Sequence, residues 1–113
     1  MNPTNTKHSR EEYPSAWIAL TRNESVGYII DALLDLPSHR EFNQTELADM
    51  AGVSRNSVGT HLDLLLTVDI IEPVTGSSPR RYRFNADSDV SRALIQLEGA
   101  MNEAVASAQE HPA

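Results

Sequence analysis

The stretch QTELADMAGVSRNSVGTHL, residues 44 to 62, decides the fold. Its first half carries apolar side chains at helical spacing, which predicts a helix with one buried side: Leu47, Ala48 and Ala51. Gly52 then permits a left-handed backbone turn. Val58 and Leu62 give the second half a buried side of its own, so the stretch predicts two short helices joined by a tight turn.

The outer side of the second helix is left with polar or small residues. They are Arg55, Asn56, Ser57, Gly59 and Thr60. Side chains of this kind reach base edges and phosphates when the N-terminal half of a helix enters a major groove. The second helix is therefore predicted to contact double-stranded DNA.

The chain resembles the winged helix-turn-helix transcription regulators of bacteria and archaea, including small haloarchaeal regulators of the PadR, MarR and ArsR type. The words that carry the resemblance are TELADMAGVSRNSVGTHLDLL, DIIEPV, TGSSP and RRYRFN, within residues 24 to 85. In that family the second helix of the motif reads DNA, and a strand-turn-strand wing touches the neighbouring backbone or minor groove. The resemblance assigns these roles to residues 54 to 61 and 76 to 83.

The predicted DNA-binding residues are Thr45, Ser54, Arg55, Asn56, Ser57, Gly59, Thr60, His61, Arg80, Arg81 and Arg83. Arg55 suits a bidentate contact to guanine or a phosphate clamp, with an unliganded surface arginine as the alternative. Asn56 and Ser57 suit adenine or phosphate, yet both are also ordinary first-turn residues. Gly59 costs a helix interior about 1 kcal/mol against alanine, which indicates a close approach either to DNA or to the preceding helix.

Net charge opposes DNA binding, because a formal charge of -7 repels a polyanion. The acids are unevenly distributed, however. Two acid-free windows, residues 50–62 and 73–86, coincide with the predicted recognition helix and the predicted wing. The second window holds Arg80, Arg81 and Arg83. The charge pattern thus favours these two regions as the DNA-facing side.

Composition also resembles that of halophilic archaea, with one lysine against eight arginines and 16 acids. At multimolar salt the Debye length falls to about 3 Å or less, so short-range contacts would dominate affinity. An ordinary acidic mesophilic regulator is the alternative. A stress-response role follows only from kinship with haloarchaeal regulators.

Before the motif, residues 1–14 are expected to form a flexible tail. Residues 16–20 predict a brief helix on which Trp17 packs into the core or against a partner subunit, with base stacking as a further alternative. Asn23 is the predicted cap of a helix whose apolar stripe is Val26, Ile29, Ile30, Leu33 and Leu34. Pro37 ends that helix.

The next elements are predicted from caps and alternation. Residues 39–42 suggest a short strand, Asn43 with Glu46 a capping box, and Ser54 the cap of the recognition helix, which runs to about Val68. Ile70, Ile71 and Val74 predict a strand, residues 75–79 a turn, and residues 81–84 a second strand. Tyr82 and Phe84 would then face the core, leaving Arg81 and Arg83 for phosphates or for a solvated strand edge.

The C-terminal segment predicts a helix capped by Asp87. Its apolar residues follow heptad steps, and the predicted dimer interface comprises Trp17, Val90, Leu94, Leu97, Met101, Ala104, Val105 and Ala108. Folding back onto its own winged helix is the alternative. A twofold dimer separates two recognition helices by about 34 Å and requires an inverted-repeat operator.

The predicted organisation is therefore a mainly α (α+β) chain. It comprises a tail at 1–14, a winged helix-turn-helix at 15–85 with a small β-hairpin wing, a long dimerisation helix at 86–109 and a tail at 110–113. We expect a cytoplasmic, homodimeric, sequence-specific regulator. A winged helix serving as a protein-protein module of the transcription machinery is the alternative.

Several functions find no support in the residues. The chain has no cysteine, which excludes disulfides, zinc fingers and thiol chemistry. No membrane-length apolar run, nucleophile elbow or phosphate loop is present, and the four histidines lack ligand spacing. We expect no enzyme activity, cofactor or metal. No convergent polar cluster identifies a small-molecule effector.

Overall fold

A computed structural model describes residues 15–110 and confirms a mostly helical α+β fold of the winged-helix type. The elements in chain order are α1 (Ala16–Thr21), α2 (Glu24–Leu34), β1 (Glu41–Phe42), α3 (Gln44–Ala51), α4 (Arg55–Thr67), β2 (Ile71–Pro73), β3 (Tyr82–Phe84) and α5 (Asp89–Glu110). The tail predicted at 1–14 lies outside the described residues, as do residues 111–113. Glu110, assigned to the second tail, is instead the last residue of α5.

Side-chain caps begin α2, α3 and α4 where the sequence predicted them. The Asn23 carboxamide oxygen accepts from the Ser25 N–H, and the Ser54 hydroxyl accepts from the Ser57 N–H. Asn43 and Glu46 form a complete capping box, with both hydrogen bonds at 2.8 Å. Each bond satisfies a backbone group that the helix itself leaves unpaired.

The predicted cap of α5 was wrong by one residue. Ser88, not Asp87, holds this position, because its hydroxyl accepts the Ser91 N–H at 3.1 Å and its carbonyl accepts the Arg92 N–H. Aspartate and serine are comparably good caps, so adjacent candidates cannot be separated by propensity.

Gly52 makes the turn between α3 and α4. Its backbone lies in the left-handed region at φ 70°, and the Val53 N–H bonds back to the Ala48 carbonyl at 3.1 Å. This arrangement closes α3 and turns the chain into the start of α4.

The core lies between α2, α3, α4 and the sheet. Its buried residues are Leu20, Val26, Ile29, Leu33, Phe42, Leu47, Ala48, Val58, Leu65, Ile70, Ile71 and Tyr82. Trp17 is not among them. The core role predicted for Trp17 is wrong, since 60% of its surface is exposed. The side chain lies on a helix of only six residues, of which Leu20 alone is buried.

The three strands form an antiparallel sheet in the order β1-β3-β2. Tyr82 packs near Phe42, with ring centroids 6.5 Å apart, and Phe84 is half-buried against the core. The predicted facing of β3 is therefore confirmed. In the connection between β2 and β3, Gly76 adopts φ 78° and the Ser78–Pro79 peptide bond is cis.

Helix α5 contacts the rest of the chain mainly near its start. Ser91 is its one buried residue, and Leu94 packs against the core. Val90, Ile95, Leu97, Met101 and Val105 are exposed large apolar residues. The alternative in which this stripe folds back along its own winged helix does not match the structure. Across residues 15–110, no helix combines the length and apolarity needed to cross a membrane.

Candidate nucleic-acid interface

The N-terminal half of α4 presents most of the predicted DNA-reading residues at the surface. Arg55, Asn56, Gly59 and Thr60 are exposed, whereas Ser57 and His61 are half-buried. Arg55 and Asn56 make no side-chain hydrogen bond to any residue in the range 15–110. Their polar groups are thus available to a ligand.

Other hydroxyls on α4 already have partners within the helix. Ser54 accepts from the Ser57 N–H and donates to the Ser57 hydroxyl oxygen, both at 3.0 Å. Thr60 donates to the Asn56 carbonyl at 2.9 Å. A phosphate contact by Ser54 or Thr60 would require its hydroxyl hydrogen to rotate away from these acceptors.

Gly59 accommodates a side chain of α3. A Cβ atom placed at Gly59 would lie 2.8 Å from the Gln44 Nε2 atom, which donates a 3.1 Å hydrogen bond to the Arg55 carbonyl. Gln44 thereby links the start of α3 to the start of α4. Of the two close approaches considered for Gly59, the structure provides the one to α3.

A cleft of about 330 Å³ opens where α3, α4 and the wing meet. Its lining residues are Asn43, Gln44, Thr45, Arg55, Pro79, Arg80 and Tyr82. Three predicted DNA-binding residues, Thr45, Arg55 and Arg80, are thus brought together although they come from different elements. Both guanidinium groups are exposed, and neither forms an ion pair with another described residue.

Arg81 and Arg83 have different surroundings from Arg80. The Arg81 Nη2 atom lies 3.0 Å from the Glu46 Oε1 atom, and its Nε atom lies 3.6 Å from the Glu41 Oε1 atom. The Arg83 Nε atom lies 2.6 Å from the Glu72 Oε1 atom. Both arginines are half-buried. Their predicted phosphate contacts remain predictions, and any such contact would have to compete with these carboxylates.

Two pKa values reflect these contacts. The hydrogen bond from the Asn43 N–H, together with the charge of Arg81, lowers the pKa of Glu46 below its usual 4.5, despite partial desolvation. The hydrogen bond to Glu72 raises the pKa of Arg83. Glu46 and Arg83 therefore remain charged throughout the neutral range.

A second groove, of about 480 Å³, lies between the α1–α2 junction and α4. It joins the predicted DNA-binding residues Thr60 and His61 to Arg22 and Asn23. Neither Arg22 nor Gln44 was singled out by the sequence patterns. Arg22 follows α1 and Gln44 begins α3, and no periodic or motif signal connects either residue to α4. No group of three or more potential metal ligands occurs within residues 15–110.

The remaining predicted sites lie apart from the cleft. The dimer residues Val90, Leu97, Met101, Ala104, Val105 and Ala108 are exposed on α5, whereas Leu94 is partly covered by the core. Leu94 is therefore less available to a partner than the heptad pattern predicted. The predicted dimer interface did not include Ile95, which is a further exposed apolar residue of α5, at 44%.

Comparisons with known proteins support the fold. No protein-family model and no curated protein matches the chain. A solved structure, NolR from Sinorhizobium fredii, matches with a TM-score of 0.57 and 21% sequence identity. The match covers 91% of this chain and 92% of NolR. At this identity the likeness establishes a shared fold.

Proposed function

We propose that this protein is a DNA-binding transcription regulator that acts as a homodimer on an inverted-repeat operator. The observation that carries the proposal is the cleft where Arg55 of α4 and Arg80 of the wing converge beside Thr45. Two exposed guanidinium groups without a carboxylate partner in the described chain form a suitable contact for a nucleic-acid strand.

The two arginines have different proposed tasks. Arg55 is the first residue of α4, the position from which a recognition helix reaches base edges, and its planar group can bind guanine bidentately. Arg80 lies outside that helix, on the connection leading into β3, where a phosphate contact fits better. Arg55 would then contribute specificity and Arg80 affinity.

The charge distribution supports the cleft between Arg55 and Arg80 as the side that faces DNA. The overall charge of -7 disfavours DNA, yet residues 50–62 and 73–86 contain no acid. Arg55 belongs to the first window and Arg80 to the second. The cleft is therefore the place where both acid-free windows meet.

Dimerisation is proposed from α5. This helix has 22 residues and spans about 33 Å, and its exposed apolar residues include Val90, Leu97, Met101 and Val105. Packing two such helices around a twofold axis would bury both stripes. Trp17, exposed at 60%, is a further candidate for the same interface.

The finer identity of the regulator is also a proposal. The single lysine and 16 acids favour a halophilic archaeal source, and kinship with haloarchaeal regulators suggests a stress response. In such a cytoplasm the short-range contacts of Arg55 and Arg80 would carry most of the affinity. Binding measured at several salt concentrations would distinguish this case from an ordinary acidic regulator.

Selection of duplexes from a random DNA pool tests the function. We expect an enriched inverted repeat, with half-sites about one helical turn apart. Arg55→Ala should weaken binding to it by about 1 to 3 kcal/mol and relax the selected sequence. Arg92→Ala is the matched control, because it removes the same charge from α5, where Arg92 pairs with Asp89.

Two results would count against the proposal. One is the absence of any enriched sequence at all salt concentrations, and the other is equal binding by the wild type and Arg55→Ala. Genome-wide mapping that finds the protein only where polymerase sits, with no motif, would favour the protein-protein module instead.

A further inference from the structure

We propose that Arg81 is a positioning residue that holds the wing against α3 and so places Arg80 beside Arg55, without itself contacting DNA. This inference rests on the proposed function and assigns a role within its binding site. The sequence predicted a phosphate contact for Arg81, and this inference assigns the residue ion pairs within the protein instead.

The Arg81 side chain joins two other elements of the fold. Its Nη2 atom lies 3.0 Å from the Glu46 carboxylate of α3 and donates a 3.2 Å hydrogen bond to the Glu41 carbonyl of β1. The Glu41 carboxylate lies 3.6 Å from its Nε atom. A planar guanidinium with several fixed donors can satisfy all of these acceptors at once.

The Arg81 backbone anchors the wing connection. Its N–H donates to the Ser77 hydroxyl at 2.9 Å, and its carbonyl accepts from the Val74 N–H at 2.8 Å. Ser77 in turn donates to the Val74 carbonyl. One residue thus connects the wing turn, through its backbone, to α3 and β1, through its side chain.

Glu46 links Arg81 to the cleft lined by Arg55 and Arg80. The same carboxylate oxygen that faces Arg81 accepts the Asn43 N–H in the capping box. Asn43 lines the cleft together with Thr45, Arg55 and Arg80. Because Arg80 is the neighbour of Arg81 in the chain, fixing Arg81 to Glu46 fixes the approach of Arg80 to that cleft.

The same geometry disfavours a direct phosphate contact by Arg81. Reaching a phosphate would separate the guanidinium from Glu41 and Glu46 and leave two carboxylates beside a polyanion. Arg80, by contrast, has no described carboxylate partner to leave. Two adjacent arginines are therefore assigned different tasks by their surroundings.

The test compares Arg81→Gln with Arg80→Gln on the inverted-repeat duplex that the wild type selects. Both substitutions remove one positive charge from adjacent positions. We expect Arg81→Gln to weaken binding about 3- to 10-fold with an unchanged dependence of log K on log salt concentration. Arg80→Gln should reduce that slope by about 0.9 for each phosphate that Arg80 neutralises in the wild type.

Glu46→Gln provides the coupling measurement. Glutamine retains the capping box and removes the charge that faces Arg81. If Arg81 acts through Glu46, the variant that combines Arg81→Gln with Glu46→Gln should bind DNA about as well as the Arg81→Gln variant alone. Arg81→Lys should recover part of the affinity, because it keeps a charge opposite Glu46.

Hydrogen exchange in the DNA-free protein gives an independent readout. We expect lower protection against exchange at the amides of residues 74 and 81 in Arg81→Gln, and wild-type protection in Arg80→Gln, each measured relative to the intrinsic exchange rate of that variant. Thermal unfolding of each variant shows whether the winged helix remains folded.

The outcomes separate the two proposals. If the wild type selects no sequence, the proposed function fails, and this inference fails with it. If the wild type selects a sequence but Arg81→Gln lowers the salt slope as much as Arg80→Gln, this inference alone is overturned. Strictly additive losses for Arg81→Gln and Glu46→Gln, or unchanged exchange, would also overturn it.

Discussion

Helices α2 and α5 both carry apolar stripes at helical spacing, but the stripes have different environments. In α2, Val26, Ile29 and Leu33 are at most 1% exposed, whereas Leu97 and Met101 of α5 are 46% and 59% exposed. The first stripe lies against α3, α4 and the sheet. The second is exposed, because α5 packs on the rest of the described chain only near its start, at Ser91 and Leu94. An amphipathic pattern thus specifies which side of a helix is apolar but not what that side packs against.

The largest expected effect is the loss of stability when a buried side chain of the winged helix is truncated, compared with the loss for an exposed side chain of α5. Leu47→Ala removes a fully buried side chain and should lower the free energy of unfolding by about 2 to 5 kcal/mol. Leu97→Ala should cost less, and its cost should grow with protein concentration if α5 packs in a dimer. Urea denaturation at two protein concentrations measures both. Equal, concentration-independent losses would contradict the comparison.

The next effect concerns the partner of α5. Met101→Glu places a charge in the exposed stripe and should weaken dimerisation by about 1.5 to 3 kcal/mol for each apolar side chain that is no longer buried. Sedimentation analysis of the wild type and the variant measures the association. Gln96→Glu is the control, since residue 96 lies outside the heptad stripe and is exposed. A wild type that is monomeric at micromolar concentration would refute the dimer.

A smaller change in stability is expected where the start of α5 packs against the winged helix. Within the described chain, the Ser91 hydroxyl is buried and has no hydrogen-bond partner. Ser91→Ala should therefore raise the free energy of unfolding by about 1 kcal/mol. Ser107→Ala, at an exposed position of α5, shows how much of this gain comes from helix propensity alone. Equal gains in the two variants, measured by thermal unfolding, would mean that the buried hydroxyl costs nothing.

The smallest effect depends on pH and concerns the start of α3. The folded-state pKa of Glu46 lies below its usual 4.5, so the ionised carboxylate stabilises the fold above that pH. This contribution should be lost as pH falls through the lowered pKa. Unfolding measured across the acid range should show the wild type and Glu46→Gln converging below pH 4.5. Parallel stability profiles would argue against the lowered pKa of Glu46, and so against the combined effect of the Asn43 N–H and Arg81 on this carboxylate.

Local features of the fold were predictable from the sequence. Asn23, Asn43 with Glu46, and Ser54 cap helices as expected, because these bonds join groups two or three residues apart. The turn at Gly52 depends on its own backbone freedom. The one misplaced cap, Asp87 in place of Ser88, shows the limit of such rules when two good caps are adjacent.

Features that depend on distant residues were less predictable. The core position expected for Trp17 assumed that a large aromatic residue finds a surface to pack on, and the short α1 provides none. Gln44 was overlooked because its contact with Arg55 spans 11 positions and joins two different helices. Neither outcome has a signature in spacing or composition.

The sequence by itself determined where the helices begin to within one residue, where the chain turns and which two windows lack acids, since these depend on neighbouring residues. Only the tertiary structure decided which arginines remain available. Antiparallel pairing places Arg83 opposite Glu41 and Glu72, and the wing returns Arg81 to the capping box of α3. Arg80 and Arg55 instead line a common cleft. The physical reason is that an ion pair depends on separation in space, and strand register brings together charges that lie far apart in the chain.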